Sequence, residues 1–99
     1  MPRGRILIVD DEAGIRSTLR QILEDEGYLV DEAETGEDAL PLAAGGDHDV
    51  ILLDVWLPGM DGLEVLQRMR ERGVHAEVLV ISGQINLDNN VAVRIVNNK

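Results

Sequence analysis

The sequence predicts an α/β domain built on a parallel β-sheet, and three observations support this prediction. Four short apolar segments typical of strands alternate with three segments of helical periodicity, in the order βαβαβαβ. The first strand segment, "ILIV" at residues 6–9, is apolar throughout, as is usual for parallel strands buried on both faces. Strands connected through helices pair in parallel with right-handed crossovers. The 99 residues are enough for one small domain, and the 44% hydrophobic content allows a core.

The first half of the chain is predicted to contain two strands and two helices. Residues 6–9 form the first strand, and the first helix presents one apolar face and stops at Gly27. That face consists of Ile15, Leu19, Ile22 and Leu23. Residues 29–33 are a more polar strand, which places it near an edge of the sheet. Thr35 and Asp38 resemble a capping box that starts the second helix. Pro41 should shorten, kink or delay that helix, at a cost of about 3 kcal/mol.

The second half of the chain is predicted to contain two further strands and one helix. A glycine pair breaks the chain before residues 50–53, which form the third strand. Asp61 and Glu64 can cap the third helix, which ends at Gly73. Its buried face is predicted to consist of Leu63, Leu66 and Met69, with help from Val65. Residues 78–81 form the fourth strand, which is expected to end at Ser82.

Composition restricts the kinds of partner. The formal net charge of −10 argues against direct nucleic-acid binding, because the phosphate backbone would repel the domain, and is compatible with a cation site or a basic partner surface. The chain has no cysteine, which excludes disulfides and thiolate metal sites and fits a cytoplasmic protein. No apolar run is long enough to predict a membrane segment. The two histidines, His48 and His75, have no ligand spacing around them and are predicted to lie on the surface.

Polar side chains follow three of the four predicted strands, at the edge of a parallel sheet where ligands bind. Asp10 and Asp11 follow the first strand, Asp54 follows the third and Ser82 follows the fourth. If the first and third strands are neighbours, three carboxylates converge, and their mutual repulsion favours a bound cation. An oxygen site without His or Cys selects Mg²⁺, with Mn²⁺ as the alternative. Each group by itself is also typical of a turn or a helix cap, so the prediction depends on their conjunction.

Three sequence stretches resemble the receiver domain of bacterial two-component response regulators: "ILIVDDE", "LLDVWLPGMDG" and "VISG". The longer stretch "DVWLPGMDGLEVL" resembles in particular receivers of nitrogen-regulation-type transcriptional activators. The resemblance covers residues 5–83 of one domain spanning residues 1–99, and its three motifs in this order are highly specific. It implies a flavodoxin-like doubly wound parallel sheet with strand order 2-1-3-4.

The resemblance also implies a role for each residue of the polar set. Asp54 would be the phosphoacceptor, taking a phosphoryl group from a sensor histidine kinase. Asp11 would bind Mg²⁺ directly together with Asp54, and Asp10 would help through water. The backbone carbonyl of Trp56 would be a further metal ligand. Ser82 would supply the hydroxyl that turns toward the phosphoryl group. Such a domain promotes its own phosphorylation and is not a turnover enzyme in the usual sense.

The tail, residues 84–99, departs from the family pattern. Receivers continue with a fourth helix, a fifth strand that bears an aromatic and a lysine, and a fifth helix, for which 16 residues are too few. We therefore expect the fifth strand and fifth helix to be lacking, and Lys99 is not assigned the role of the family lysine. The position of the tail favours a helix with Leu87, Val91 and Ile95 on one face, whereas "DNN" between two apolar runs favours a hairpin. The helix is the preferred prediction. An uncovered edge of the fourth strand then predicts self-association, most simply a dimer.

Two other function classes compete with the phosphoacceptor. The chain could be a receiver remnant that is never phosphorylated and acts as an interaction or dimerisation module. It could also be a small Mg²⁺-dependent phosphatase with an aspartyl intermediate, although no candidate acid or cap segment follows Asp54. A phosphate adduct formed from acetyl phosphate would support the phosphoacceptor.

Overall fold

The fold is a single sheet with helices on both faces. The computed structural model describes residues 2–85 and 91–97, with side chains through residue 81. The strands are β1 (Arg5–Val9), β2 (Leu29–Ala33), β3 (Val50–Asp54), β4 (Glu77–Ile85) and β5 (Val91–Asn97). The helices are α1 (Ala13–Asp25), α2 (Gly36–Gly45) and α3 (Gly62–Glu71). Within the described ranges, no helix is both long and apolar enough to cross a membrane.

The sheet has the order β2-β1-β3-β4-β5, in which the first four strands are parallel. This confirms the predicted doubly wound sheet of order 2-1-3-4 with three helices. The apolar residues of β1 are buried on both faces of the sheet, because successive side chains of a strand point in opposite directions. Leu7 and Val9 belong to the larger core cluster, beneath α2 and α3, whereas Ile6 and Ile8 belong to the smaller one, beneath α1.

The helices bury their apolar faces with two departures from the prediction. In α1, Ile15 is buried and Leu19 and Leu23 are partly buried, but Ile22 is exposed, since it lies about 100° around the helix from Leu23, which packs on the core. In α3, Val65 and Met69 are fully buried, whereas Leu63 is 59% exposed. Two residues separate Leu63 from Val65 by about 200° around a helix, so both cannot face the sheet. The predicted burial of Ile22 and Leu63 is therefore wrong.

Helix α2 begins where the capping motif places it. The Thr35 hydroxyl accepts a hydrogen bond from the backbone N–H of Asp38 at 3.0 Å, and the helix starts at Gly36. It runs for ten residues with Pro41 inside and exposed. Helix α3 also has ten residues and contains no proline, so the length of α2 does not show a shortening by Pro41, and the expected delayed start is wrong.

The tail contains a strand and not the preferred helix. β4 continues through Ser82 to Ile85, and β5 pairs with it antiparallel, with Ile85 opposite Val91. Valine and isoleucine favour strands, and here this preference outweighs the position in the chain. The expected end of β4 at Ser82 and the expected open edge of β4 are therefore both wrong. Within residues 2–85 and 91–97 no helix follows β4 and no fifth parallel strand is present, while Leu87 and Lys99 lie outside the described residues.

One loop residue, His48, also departs from the prediction. It was predicted to lie on the surface, but its side chain is buried, and its Nε2 lies 2.7 Å from Oδ2 of Asp31 on β2. The absence of a side chain at Gly46 makes room, because a Cβ there would lie 2.6 Å from Cε1 of His48. His75 is exposed, as predicted.

Candidate functional site

The pairing of β1 with β3 creates an acidic cluster at the carboxyl edge of the sheet. Val9 pairs with Leu53, so the next residue along each strand, Asp10 and Asp54, extends beyond the same row. Asp11 follows Asp10 at the surface. One carboxylate oxygen from each of the three aspartates lies within 4.8 Å of the others. The structure thus brings together the three carboxylates predicted to converge.

Asp10 is held by its own backbone and by the turn that follows it. Its residue is fully buried, its N–H donates to the carbonyl of Ala33 at 3.1 Å, and its Oδ1 accepts from the N–H of Glu12 at 2.8 Å. Its Oδ2 is buried and has no hydrogen-bond partner among the described residues. A buried carboxylate oxygen without a donor is costly, and a cation or a water bound to one would satisfy it. The site therefore fits a metal ion on its own geometry.

Asp54 is positioned at the end of β3 by close backbone packing. It is almost fully buried, and its Oδ1 accepts a hydrogen bond from the N–H of Trp56 at 3.0 Å. The following residue, Val55, donates its N–H to the carbonyl of Ile81 at 3.0 Å, which extends the sheet contact beyond the strand. The first residue of α3, Gly62, packs against this turn, where a Cβ would lie 2.5 Å from the carbonyl oxygen of Asp54. Only glycine fits at that position without moving the backbone.

Burial and like charges raise the pKa values of both buried carboxyls. The pKa of Asp10 is raised to about 6, mainly by burial and further by the charges of Asp54, Asp11 and Glu12, while the hydrogen bond from Glu12 opposes the shift. The pKa of Asp54 is also raised, mainly by burial and then by Asp11 and Glu12, against the hydrogen bond from Trp56. Without a metal ion, burial and the neighbouring negative charges disfavour the ionised forms of Asp10 and Asp54. A divalent cation bound beside them would reduce this repulsion.

The other two predicted site residues lie beside this cluster. Trp56 has a side chain that is 76% exposed, and its backbone N–H contacts Asp54, while the role of its carbonyl stays a prediction. Ser82 follows Ile81, the residue that pairs with Asp54, so its backbone lies one position beyond the Asp54 row on the neighbouring strand. The side chain of Ser82 lies outside the described part of the chain.

Two residues near the cluster were missed by sequence reasoning. Glu12 anchors Asp10 through its N–H and contributes charge to both buried carboxyls. Arg16 donates from Nη1 to the carbonyl of Asp10 at 2.7 Å. A signal for Arg16 was available, because a cation near the start of a helix opposes the helix dipole and needs a local acceptor.

Comparison with known proteins identifies the family. The family model of the response regulator receiver domain matches residues 6–97 of this chain. The transcriptional regulatory protein ResD of Bacillus subtilis is 50% identical over 68 residues, which are 69% of this chain and 28% of ResD. The crystal structure of the response regulator TrrA from Thermotoga maritima, in complex with Mg²⁺–BeF, superposes with a TM-score of 0.71 at 44% identity. That match covers 76% of this chain and 65% of TrrA.

The finer resemblance to nitrogen-regulation receivers stays a prediction. NtrX from Brucella abortus, solved in complex with ATP, matches with a TM-score of 0.74 at 34% identity, covering 87% of this chain and 20% of NtrX. Its presence among the structural relatives does not single out that group. The Mg²⁺ in the TrrA complex belongs to that protein, and the Mn²⁺ alternative has no support in that structure. The chain spans well under half the length of the ResD protein that it matches. On the family match and these identities, the chain belongs to the response regulator receiver domain family.

Proposed function

We propose that this chain is a phosphoacceptor receiver, in which Asp54 takes a phosphoryl group from a sensor histidine kinase in the presence of Mg²⁺. The observation that supports this most strongly is the placement of Asp54. It ends a central strand, its backbone is fixed by Val55 and Gly62, and it lies among Asp10 and Asp11 within 4.8 Å. A rigidly held carboxylate beside a cation site is what aspartyl phosphorylation requires.

The chemistry is an in-line transfer to a carboxylate. A carboxylate oxygen of Asp54 attacks the phosphorus of a phosphohistidine, the P–N bond breaks, and the imidazole leaves with the electron pair and is reprotonated. The product is an acyl phosphate on Asp54. The hydrogen bond from the N–H of Trp56 to Oδ1 of Asp54 restricts the rotation of the carboxylate before attack. Burial and the charges of Asp11 and Glu12 raise the pKa of Asp54, so a cation bound beside it would favour the ionised form that attacks.

The carboxylates of Asp10, Asp11 and Asp54 and the carbonyl of Trp56 would hold Mg²⁺. When bound, the ion would neutralise charge on the incoming phosphoryl oxygens. The assignment is supported by the buried Oδ2 of Asp10, which has no hydrogen-bond partner in the part of the chain that the structure describes. We assign to Ser82 the hydroxyl that contacts the phosphoryl group, on the basis of its backbone position beside Asp54.

Assembly and location stay predictions. We propose a dimer that forms through β5 and not through β4. Strand β5 is the outer strand of the sheet beyond β4, and an edge strand can pair with a second copy of the chain. The cytoplasmic location and the absence of direct nucleic-acid binding rest on the sequence alone.

The test is phosphorylation by a small phosphodonor. The protein is incubated with acetyl phosphate and Mg²⁺, and intact mass spectrometry measures the fraction that carries one added phosphoryl group. Wild type should form the adduct, and it should not form when EDTA replaces Mg²⁺. The Asp54→Asn variant should form none. The matched control is Asp47→Asn, which removes an exposed carboxylate that precedes β3 at the opposite end of the sheet.

The outcomes separate the candidate functions. Loss of the adduct only in Asp54→Asn supports the phosphoacceptor. A folded wild type that never forms the adduct would instead favour the interaction module. Continuous release of phosphate from phosphate esters would favour the phosphatase. Equal adduct yields in Asp54→Asn and wild type would place the acceptor elsewhere.

A further inference from the structure

Arg16 links the acidic cluster to the edge strand β2. From the fourth position of α1, its Nη1 donates to the carbonyl of Asp10 at 2.7 Å. Its Nε donates to Oε1 of Glu32 on β2 at 3.1 Å. The Arg16 side chain is only 16% exposed. These two contacts use separate nitrogens of one planar group, so Arg16 is held in a defined orientation.

The contact falls on the peptide that joins two proposed metal ligands. The Asp10 carbonyl belongs to the peptide bond between Asp10 and Asp11, so its orientation determines where the Asp11 side chain begins. The N–H of Asp10 is already bonded to Ala33 and its Oδ1 to Glu12, which leaves Oδ2 without a partner in the described structure. With Arg16 in place, every hydrogen-bonding group of Asp10 except Oδ2 has a partner among the described residues.

Arg20 provides a natural comparison. It also pairs with Glu32, through Nε, and with Glu24 at 3.2 Å. Both arginines therefore attach α1 to β2 through the same carboxylate. Of these two arginines, Arg16 donates a hydrogen bond to Asp10, and Arg20 has none to Asp10 within the described ranges. A purely structural role would make the two arginines similar, whereas a role in the acidic site belongs to Arg16 alone.

We propose that Arg16 is a positioning residue for the Mg²⁺ site, acting through the Asp10–Asp11 peptide. The inference rests on the proposed function, because it concerns the metal ion that the phosphoacceptor needs. Groups that orient metal ligands without touching the metal commonly affect affinity by 10–100-fold. Because Arg16 contacts a backbone oxygen and not a carboxylate, we expect the low end, about tenfold.

The test compares Arg16→Met with Arg20→Met in two measurements. Titration with Mg²⁺ is followed by the fluorescence of Trp56, the one tryptophan in the chain. Arg16→Met should weaken Mg²⁺ binding about tenfold, and Arg20→Met by less than about twofold. In the metal-free protein, amide hydrogen exchange at Glu12 should accelerate in Arg16→Met and not in Arg20→Met, because the Asp10 turn loosens locally.

A second variant keeps the proposal testable if Arg16→Met does not fold. Arg16→Lys retains the positive charge, but a lysine ammonium group does not have the planar geometry with which the guanidinium makes both contacts. The variant should therefore remain folded and bind Mg²⁺ more weakly than wild type. Equal Mg²⁺ affinity and equal Glu12 exchange in the Arg16 variants and Arg20→Met would overturn the proposal. A wild type that binds no Mg²⁺ would refute the proposed function, and the Glu12 exchange would still decide the role of Arg16.

Discussion

Replacing Asp10 by Asn should remove a pH dependence of stability from the metal-free protein. Asp10 is fully buried, and its pKa is raised to about 6 from an ordinary value of 3.8. The folded state therefore binds this proton more tightly than the unfolded state between these two values. The free energy of unfolding should rise as the pH falls through about 6, and this gain should level off near the unfolded-state pKa.

The magnitude follows from the two pKa values. Between pH 7.5 and pH 5, this group alone should raise the free energy of unfolding by an amount on the order of 1 kcal/mol. The Asp10→Asn variant has no such proton to bind, so this contribution disappears. The substitution can also change the free energy of unfolding by an amount that does not depend on pH. That amount cancels, because each protein is compared with itself at two pH values.

Urea denaturation at both pH values, in EDTA, measures this difference. On acidification, the free energy of unfolding of the wild type should rise more than that of Asp10→Asn, by an amount on the order of 1 kcal/mol. Saturating Mg²⁺ should abolish the wild-type gain, because the ion binds the ionised carboxylates of the folded state. An equal pH response of the two proteins in EDTA would refute the account of Asp10 as a buried, repelled carboxylate.

Three further predictions concern packing, metal binding and assembly. Gly62→Ala should destabilise the protein by about 1–3 kcal/mol in urea denaturation, since its Cβ would lie 2.5 Å from the carbonyl of Asp54, whereas Gly14→Ala, with nothing within 4 Å, should stabilise it by about 0.5–1 kcal/mol. Equal effects would contradict the close packing behind Asp54. Millimolar Mg²⁺ should raise the melting temperature and change Trp56 fluorescence in wild type but not in Asp11→Ala, and matching responses would place the cation elsewhere. Light scattering should detect a dimer at high micromolar concentration, and a monomer would count against edge pairing through β5.

The sequence predicted the elements that depend on local pattern. The apolar run of β1 and the capping residue Thr35 are short-range signals, and both appear in the structure as expected. The order of the strands came from family resemblance, because apolar runs do not say which strands are neighbours. The convergence of Asp10 with Asp54 follows directly once β1 and β3 are paired.

The parts that were missed depend on contacts between distant residues. The buried His48, in the loop before β3, contacts Asp31, which lies 17 positions earlier on β2, and Gly46 leaves space for its ring. The choice of Val65 over Leu63 as a core residue is a matter of helical phase, which a short apolar cluster does not determine. In the tail, strand propensity and family position favour different structures, and the pairing with β4 decides between them.

The measurement that tests the central claim most directly is the chemical location of the phosphoryl group. The protein is treated with acetyl phosphate and Mg²⁺, the acyl phosphate is trapped by borohydride reduction, and the digested peptides are sequenced by tandem mass spectrometry. The account predicts that the reduced residue is Asp54, at the end of β3. Reduction at another carboxylate, such as Asp11, or an adduct that resists reduction, would contradict it.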